Sequence, residues 1–231
     1  MSIMISMIIH HLQPKADNRK RKQLIYTHML DSFKFNKKQK LYLVIKRCFD
    51  IVFSLAAIIF CSVTIWIPII IINIFVTKGH PFFTPERLGK NNQIFKMFKF
   101  RTMKYGSLIK PPYELSKEEF VAMETWFGKF LRSTSLDETL QYLNVLSGKM
   151  SLIGPRPCAA KDEDILLNAR NAQNPNPSII RPGLTGLAQV NMKRKHDVNT
   201  KAMLDSEYVK NLGFVLDLKI FFKTFMVVFH K

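Results

Sequence analysis

Cysteine is scarce in this chain: Cys48, Cys61 and Cys158 are the three examples in 231 residues. An odd number without CxxC spacing excludes a disulfide scaffold and a structural zinc site, and fits a reducing, cytoplasm-facing environment. Acidic residues are also few, with 17 Asp and Glu against 35 Lys and Arg and a formal charge of +18. Such an excess calls for polyanionic partners, and charge alone does not choose among nucleic acid, anionic lipid headgroups and phosphorylated substrates. Long apolar runs are lacking everywhere but one place. A chain of this length, 47% apolar, has room for one compact domain with an appendage, not for two full-sized domains.

The exception is Ile51 to Val76, which holds no charge and is interrupted mainly by Ser54, Ser62, Thr64, Pro68 and Asn73. At ~1.5 Å per residue the run reaches about 39 Å as a helix, more than the ~30 Å of a hydrocarbon core, so it reads as a membrane segment. Lys46 and Arg47 precede it; Lys78, Arg87 and Lys90 follow. Cytoplasmic flanks are the cationic ones, and here both qualify. A helix that enters, bends and returns keeps both flanks on one face, whereas a helix that crosses does not; sequence leaves the two geometries open. Ser62 and Thr64 bonding back to the preceding turn, or Pro68, supply a bend.

On either side lie two further segments. The first 47 residues carry eleven Lys or Arg and only Asp17 and Asp31 as acids. This basic arm reads either as a disordered or loosely membrane-associated tail or as an amphipathic helix. Its opening, Met1 to His10, is too short and too poorly led by cations for a secretory signal. Near the other end, Leu212 to His230 is apolar but punctuated by Asp217, Lys219 and Lys223, a spacing that suits one polar edge of an amphipathic helix. That helix either lies on the membrane surface or packs on the domain.

The richest stretch is Phe130 to Leu146. Leu136, Leu140, Leu143 and Val145 or Leu146 recur at helical spacing, which predicts a helix from about Ser135. Ser135 followed by Glu138 fits a capping box, and first-turn carboxylates suit the helix dipole, so Asp137 and Glu138 have a purely structural explanation. They also have a chemical one. Adjacent helical residues point ~100° apart and cannot face each other as an acid–base pair. They can divide labour: one carboxylate attacks phosphorus, the other holds Mg²⁺ on phosphate oxygens, and Arg132 neutralises charge.

Two loops offer further cations. Ile153-Gly-Pro-Arg-Pro157 fixes Arg156 between prolines, and Arg181-Pro-Gly-Leu-Thr-Gly186 is a second rigid turn, followed by Leu187 to Val190 as a predicted short strand. Singly, each also reads as a turn with a surface arginine. Ile94 to Met103 alternates aromatics with Lys96, Lys99 and Arg101, as a strand with an apolar inner face and a cationic outer one. Such a strand suits single-stranded nucleic acid, a nucleotide sugar or the vicinity of an anionic membrane.

In order, these segments resemble the bacterial sugar transferase family, the monotopic phosphoglycosyl transferases that initiate glycoconjugate assembly. The resemblance runs from about Lys46 to about Thr224. It rests on Lys46-Arg-Cys-Phe-Asp50, Arg87-Leu-Gly89, Lys99-Phe-Arg-Thr-Met103, Ser135-Leu-Asp-Glu138, Asn144-Val-Leu, Met150 to Pro157, Arg181 to Gly186, Gln189-Val-Asn191, Asp205 with Tyr208, and Leu216-Asp-Leu-Lys-Ile220. Each block is weak alone; the ordered set is specific.

The resemblance implies an α+β, predominantly helical fold: a basic arm over 1–45, a re-entrant membrane helix over 46–78, and a catalytic domain with short strands over 79–231, ending in an amphipathic helix. It implies Asp137 as nucleophile, Glu138 as Mg²⁺ ligand, and Arg132, Arg156 and Arg181 on substrate phosphates. Arg87, Lys99, Arg101, Asp205 and Tyr208 are further site candidates. The implied partners are a UDP-sugar, polyprenyl phosphate, anionic membrane lipid and downstream glycosyltransferases, with no nucleic acid, on the cytoplasmic face of a bacterial inner membrane. Three positions depart from the family pattern. Val63 follows Ser62 where a Ser-Pro pair is common, Pro85 stands where Gln is frequent, and Leu187 replaces Trp. The alternative function is a non-catalytic, membrane-tethered basic binding or scaffold protein.

Overall fold

The structure, a computed structural model, describes residues 33–106, 116–160, 165–192 and 197–229. The first 32 residues of the basic arm lie outside the described residues. Helix α1 (Lys37–Cys61) opens on a capping box in which Gln39 N–H donates to Asn36 Oδ1 at 2.8 Å and Asn36 N–H donates to Gln39 Oε1 at 3.1 Å. It therefore begins before residue 46 and carries nine residues of the arm into the long apolar helix. After Cys61 the ladder widens to a π-helical turn over Ser62–Trp66 and resumes as α2 (Ile67–Thr77). The predicted irregular residues sit there. Ser62 Oγ donates to the Ile59 carbonyl at 2.9 Å and Thr64 Oγ1 to Phe60 at 2.7 Å, while Pro68 has no N–H for the carbonyl four residues back.

Gln39, Lys46, Asp50, Ser54 and Cys61 of α1 and Ile69, Asn73 and Thr77 of α2 are buried against the domain. The opposite face, including Val44, Val52, Ile59, Val63, Ile71 and Phe75, stays exposed. This 41-residue helix is long and apolar enough to cross a membrane. Both of its ends are nevertheless tied to one domain. Near its start, Lys46 Nζ meets Asp217 Oδ2 at 2.6 Å, Arg47 donates to the Val145 and Leu146 carbonyls at 2.7 and 2.9 Å, and Asp50 Oδ1 accepts from Leu152 N–H at 3.0 Å. Near its finish, Asn73 Nδ2 donates to the Pro81 and Arg101 carbonyls at 3.0 and 2.9 Å.

Among the described residues the domain is mostly helical around three small sheets. Strands β1 (Phe82–Phe83), β2 (Glu86–Leu88), β3 (Ile94–Lys96) and β4 (Lys99–Phe100) come first. Next follow helices α3 (Lys117–Met123) and α4 (Trp126–Thr134), a 3₁₀ turn over Leu136–Glu138, and α5 (Gln141–Leu146). Strands β5 (Ser151–Ile153) and β6 (Cys158–Ala159), helix α6 (Ile165–Asn171), strand β7 (Gly183–Thr185), and helices α7 (Leu187–Asn191), α8 (Val198–Lys210) and α9 (Phe214–Phe229) complete the described order. β1 pairs with β4 and β2 with both β3 and β6, all antiparallel; β5 pairs with β7 in parallel.

Several local expectations are corrected. Ile94 to Met103 is not one strand, because the Asn144 carboxamide takes the Lys96 carbonyl and the Phe98 N–H, both at 2.8 Å, in place of ladder partners. The chain breaks there, and β3 and β4 join different sheets. Leu187 to Val190 is helical, and the strand after Arg181 is β7. The helix expected from about Ser135 starts there only as a 3₁₀ turn and becomes α-helical at Gln141; the capping box is not formed, because Ser135, with a left-handed φ of 59°, ends α4 and its side chain makes no capping bond. Asp217 is not on a polar edge of α9 but buried, accepting from Lys46, from Tyr42 OH at 2.6 Å and from Tyr208 OH at 2.7 Å.

Candidate active site

Asp137 and Glu138 occupy the 3₁₀ turn between α4 and α5. The left-handed Ser135 reverses the chain, so the two carboxylates stand at the head of α5 rather than along a continuous helix. The turn is braced from the long apolar helix. Trp66 Nε1, at the end of the π turn, donates to Thr139 Oγ1 at 3.1 Å, and Thr139 Oγ1 donates on to the Leu136 carbonyl at 2.8 Å.

The two neighbours meet different surroundings. Asp137 is 8% exposed. Burial pushes its carboxyl above the usual range, Lys99 and Arg132 pull against that shift, and the Glu138 charge adds to it. Glu138 reaches a cleft, where its Oε1 pairs with Lys99 Nζ at 2.6 Å and with Arg156 at 3.5 Å. Arg87, Met97, Gln141, Pro157, Gly183 and Leu184 line the same cleft, of about 290 Å³.

The cleft exists because two loops cross without side chains between them. Gly154 N–H donates to the Thr185 carbonyl at 2.8 Å and Gly183 N–H to Pro155 at 2.9 Å. A Cβ on Gly183 would stand 2.1 Å from Gly154 N, and one on Gly186 2.1 Å from the Gly154 carbonyl oxygen. Only glycine allows this approach, which sets Arg156 opposite Glu138. The Arg156 backbone is held from behind: Arg170 donates to its carbonyl at 2.8 Å while pairing with Asp205.

Sequence-predicted residues therefore separate into two groups. Lys99, Arg156 and Arg87 gather with Glu138 around the cleft, and Arg132 acts on Asp137 from beside it, its Nε donating to Thr102 Oγ1 at 2.9 Å and its Nη1 lying 3.4 Å from Glu124. The others stand apart. Arg181 donates to the Gly148 carbonyl at 2.8 Å, beyond the end of α5, and does not line the cleft. Arg101 donates to the His80 and Phe82 carbonyls at 2.9 and 3.2 Å. Asp205 serves Arg170, and Tyr208 serves Asp217 and the Ile153 carbonyl.

Sequence reasoning missed Gln141, Arg170 and Thr139. Gln141, four residues after Asp137, was within reach of helical spacing. Arg170 and Thr139 carried no local signal; their partners lie 35 and 73 residues away.

The comparisons with known proteins agree in direction. The bacterial sugar transferase family profile matches residues 41–231. An uncharacterized sugar transferase of Haemophilus influenzae is 36% identical over 205 residues, covering 81% of this chain and 41% of that protein. The undecaprenyl-phosphate galactose phosphotransferase of Salmonella typhimurium is 34% identical over 215 residues, with the same coverages of 81% and 41%. The exopolysaccharide production protein ExoY of Sinorhizobium fredii is 33% identical over 198 residues, covering 79% of this chain and 84% of that protein. The chain thus spans 41% of the length of the first two relatives. A profile match that takes in most of the long apolar helix, the carboxylate turn and both crossed loops places this chain in the bacterial sugar transferase family.

Proposed function

We propose that the protein transfers a sugar-1-phosphate from a UDP-sugar to a membrane polyprenyl phosphate, as an initiating step of surface polysaccharide or glycoprotein glycan assembly. The observation that carries this reading is the buried Asp137 carboxyl beside a cationic cleft that contains Glu138, Lys99 and Arg156. A desolvated carboxylate is a strong nucleophile once ionised, and the cations suit the oxygens of a transferring phosphoryl group. An Asp137 oxygen attacks the sugar-bearing phosphorus, the bond from that phosphorus to the bridging oxygen breaks, and UMP leaves. The acceptor's phosphate oxygen then attacks the same phosphorus and returns the Asp137 carboxylate, leaving a diphosphate-linked lipid sugar.

Among the described residues no three or more His, Cys, Asp or Glu converge as a metal cage. Mg²⁺ commonly takes one or two carboxylates and fills the rest of its shell with substrate phosphates and water, and Glu138 fits that role. When bound, the ion would neutralise phosphate charge. The substrate must come from the membrane, and the long helix supports that route. With both of its ends bonded to one domain, a re-entrant path keeps the domain on a single face, and the basic flanks favour the cytoplasmic one.

The test is UMP release by the detergent-purified protein with Mg²⁺ and a panel of UDP-sugars, with and without undecaprenyl phosphate, beside Asp137→Asn and Glu138→Gln. Lipid-dependent release that is lost in both variants is the expected result. Release that survives both substitutions, or none from folded protein across the panel, would replace this reading with the scaffold or binding-module alternative.

A further inference from the structure

The carboxylate of Glu138 is engaged by cations of the protein itself. Its Oε1 takes Lys99 Nζ at 2.6 Å, and Arg156 Nη2 stands 3.5 Å from the same oxygen. The first of these contacts is not a loose surface pair. The Lys99 and Glu138 side chains are 15% and 26% exposed. The Lys99 backbone is set by the pairing of β4 with Phe83 and, one residue earlier, by the Asn144 carboxamide, which accepts from Phe98 N–H at 2.8 Å. Lys99 is also the foremost positive charge acting on Asp137. One lysine thus serves both carboxylates of the turn, and Arg87 and Arg156 line the cleft beside it.

A small divalent cation approaching alone meets an unfavourable field here. It needs anionic oxygen ligands. The oxygen suited to it already carries two cations, and at these spacings their repulsion of a doubly charged ion offsets the attraction of one carboxylate. A nucleoside diphosphate reverses that balance. Its oxygens offer Lys99 and Arg156 new partners, release Glu138 Oε1, and supply further ligands to the ion. We infer that Lys99 is a placeholder for the divalent cation on Glu138, and that the protein takes up the cation only as its complex with the nucleotide diphosphate. Lys99 then passes from the carboxylate to a phosphate oxygen as the complex seats. This rests on the nucleotide-sugar and Mg²⁺ reading proposed above, and it names the species bound: a metal–nucleoside diphosphate chelate, not a free ion followed by the nucleotide.

Mn²⁺ is the probe, because its free ion gives a sharp paramagnetic resonance spectrum that the bound ion loses, and UDP is the nucleotide. After subtraction of the Mn²⁺ held by UDP in protein-free solution, the detergent-purified parent is expected to bind Mn²⁺ alone no better than Glu138→Gln does. With UDP present it should capture the ion about tenfold or more tightly, and Glu138→Gln should lose that gain. In Lys99→Met, Mn²⁺ affinity without UDP should rise about tenfold, UDP affinity should fall, and adding Glu138→Gln should cancel the rise. A UDP-independent Mn²⁺ site in the parent that Glu138→Gln abolishes would overturn the inference, because the carboxylate would then be open to the ion. A Lys99→Met protein whose UDP-free affinity matches the parent's would overturn it too. If Lys99→Met does not fold, the comparison of parent with Glu138→Gln decides alone. Each reading is a binding measurement: turnover without nucleotide-dependent Mn²⁺ capture sinks this inference alone, and capture without UMP release sinks the transferase reading alone.

Discussion

Asp137 and Glu138 are neighbours in the chain and opposites in environment, and their chemistry follows from that difference. Burial raises the Asp137 carboxyl above the ordinary value of ~3.9, so the folded protein binds this proton more readily than the unfolded chain does. Stability then falls as pH rises between the unfolded and folded values, and at neutral pH the ionised Asp137 is a net cost to folding. Asp137→Asn should abolish transfer and leave the melting temperature in detergent equal to or above that of the parent; a large drop in Tm would mean that the carboxylate is structural. Lys99 is the foremost cation holding this carboxyl down. Attack requires the ionised form, so Lys99→Met should move the acid limb of kcat to higher pH. A pH–rate profile checks this, and an unmoved limb would disconnect Asp137 ionisation from the rate.

At the scale of elements, the site is an assembly of short pieces that cannot order themselves. The 3₁₀ turn, six-residue α5 and two- or three-residue strands are held by contacts from elsewhere. Asn144 of α5 replaces two missing ladder bonds at the β3–β4 break and so aims Lys99 at Glu138. Arg170 of α6 links Asp205 of α8 to the Arg156 loop and also donates to the sulfur of the buried Cys158. Asp205→Ala removes the buried carboxylate that this guanidinium pairs with, which by the usual cost of breaking a buried pair destabilises by about 3–5 kcal/mol. Thermal or denaturant unfolding of the detergent-solubilised protein measures it. A loss below about 1 kcal/mol would show that Arg170 is held well enough without the Asp205 carboxylate.

Over the whole molecule, one carboxylate joins the long apolar helix to the C-terminal helix and the core. Asp217 takes Lys46 and Tyr42 from α1 and Tyr208 from α8, three donors on one buried anion. Phe53 of α1 packs edge-on against Phe221 of α9 beside it. Lys46→Met strands the Asp217 charge and should cost about 3–5 kcal/mol, most of it recovered when Asp217→Leu is added, because an apolar pair of similar volume has no ion to desolvate. If the double variant is no more stable than the single, the ion pair is not what holds the helix to the domain.

The sequence by itself determined the long apolar helix, the carboxylate pair and the glycine–proline loops, because each is written in contiguous residues (an uncharged run, a dipeptide, a turn), and it determined the family through the order of many short blocks along the chain. It also located the helix irregularity at Ser62, Thr64 and Pro68, whose effects are local to the backbone. Only the tertiary structure decided which cations face Glu138, that Arg181 and Arg101 bind backbone carbonyls instead, that Asp217 is buried, and that the predicted strand from Ile94 to Met103 breaks in two. Those outcomes depend on partners such as Asn144, Arg170, Lys46 and Gly148, dozens to more than a hundred residues away in the chain. Charge and periodicity describe what a segment can do alone, whereas the direction of a long cationic side chain is set by the acceptor that folding brings within about 3 Å.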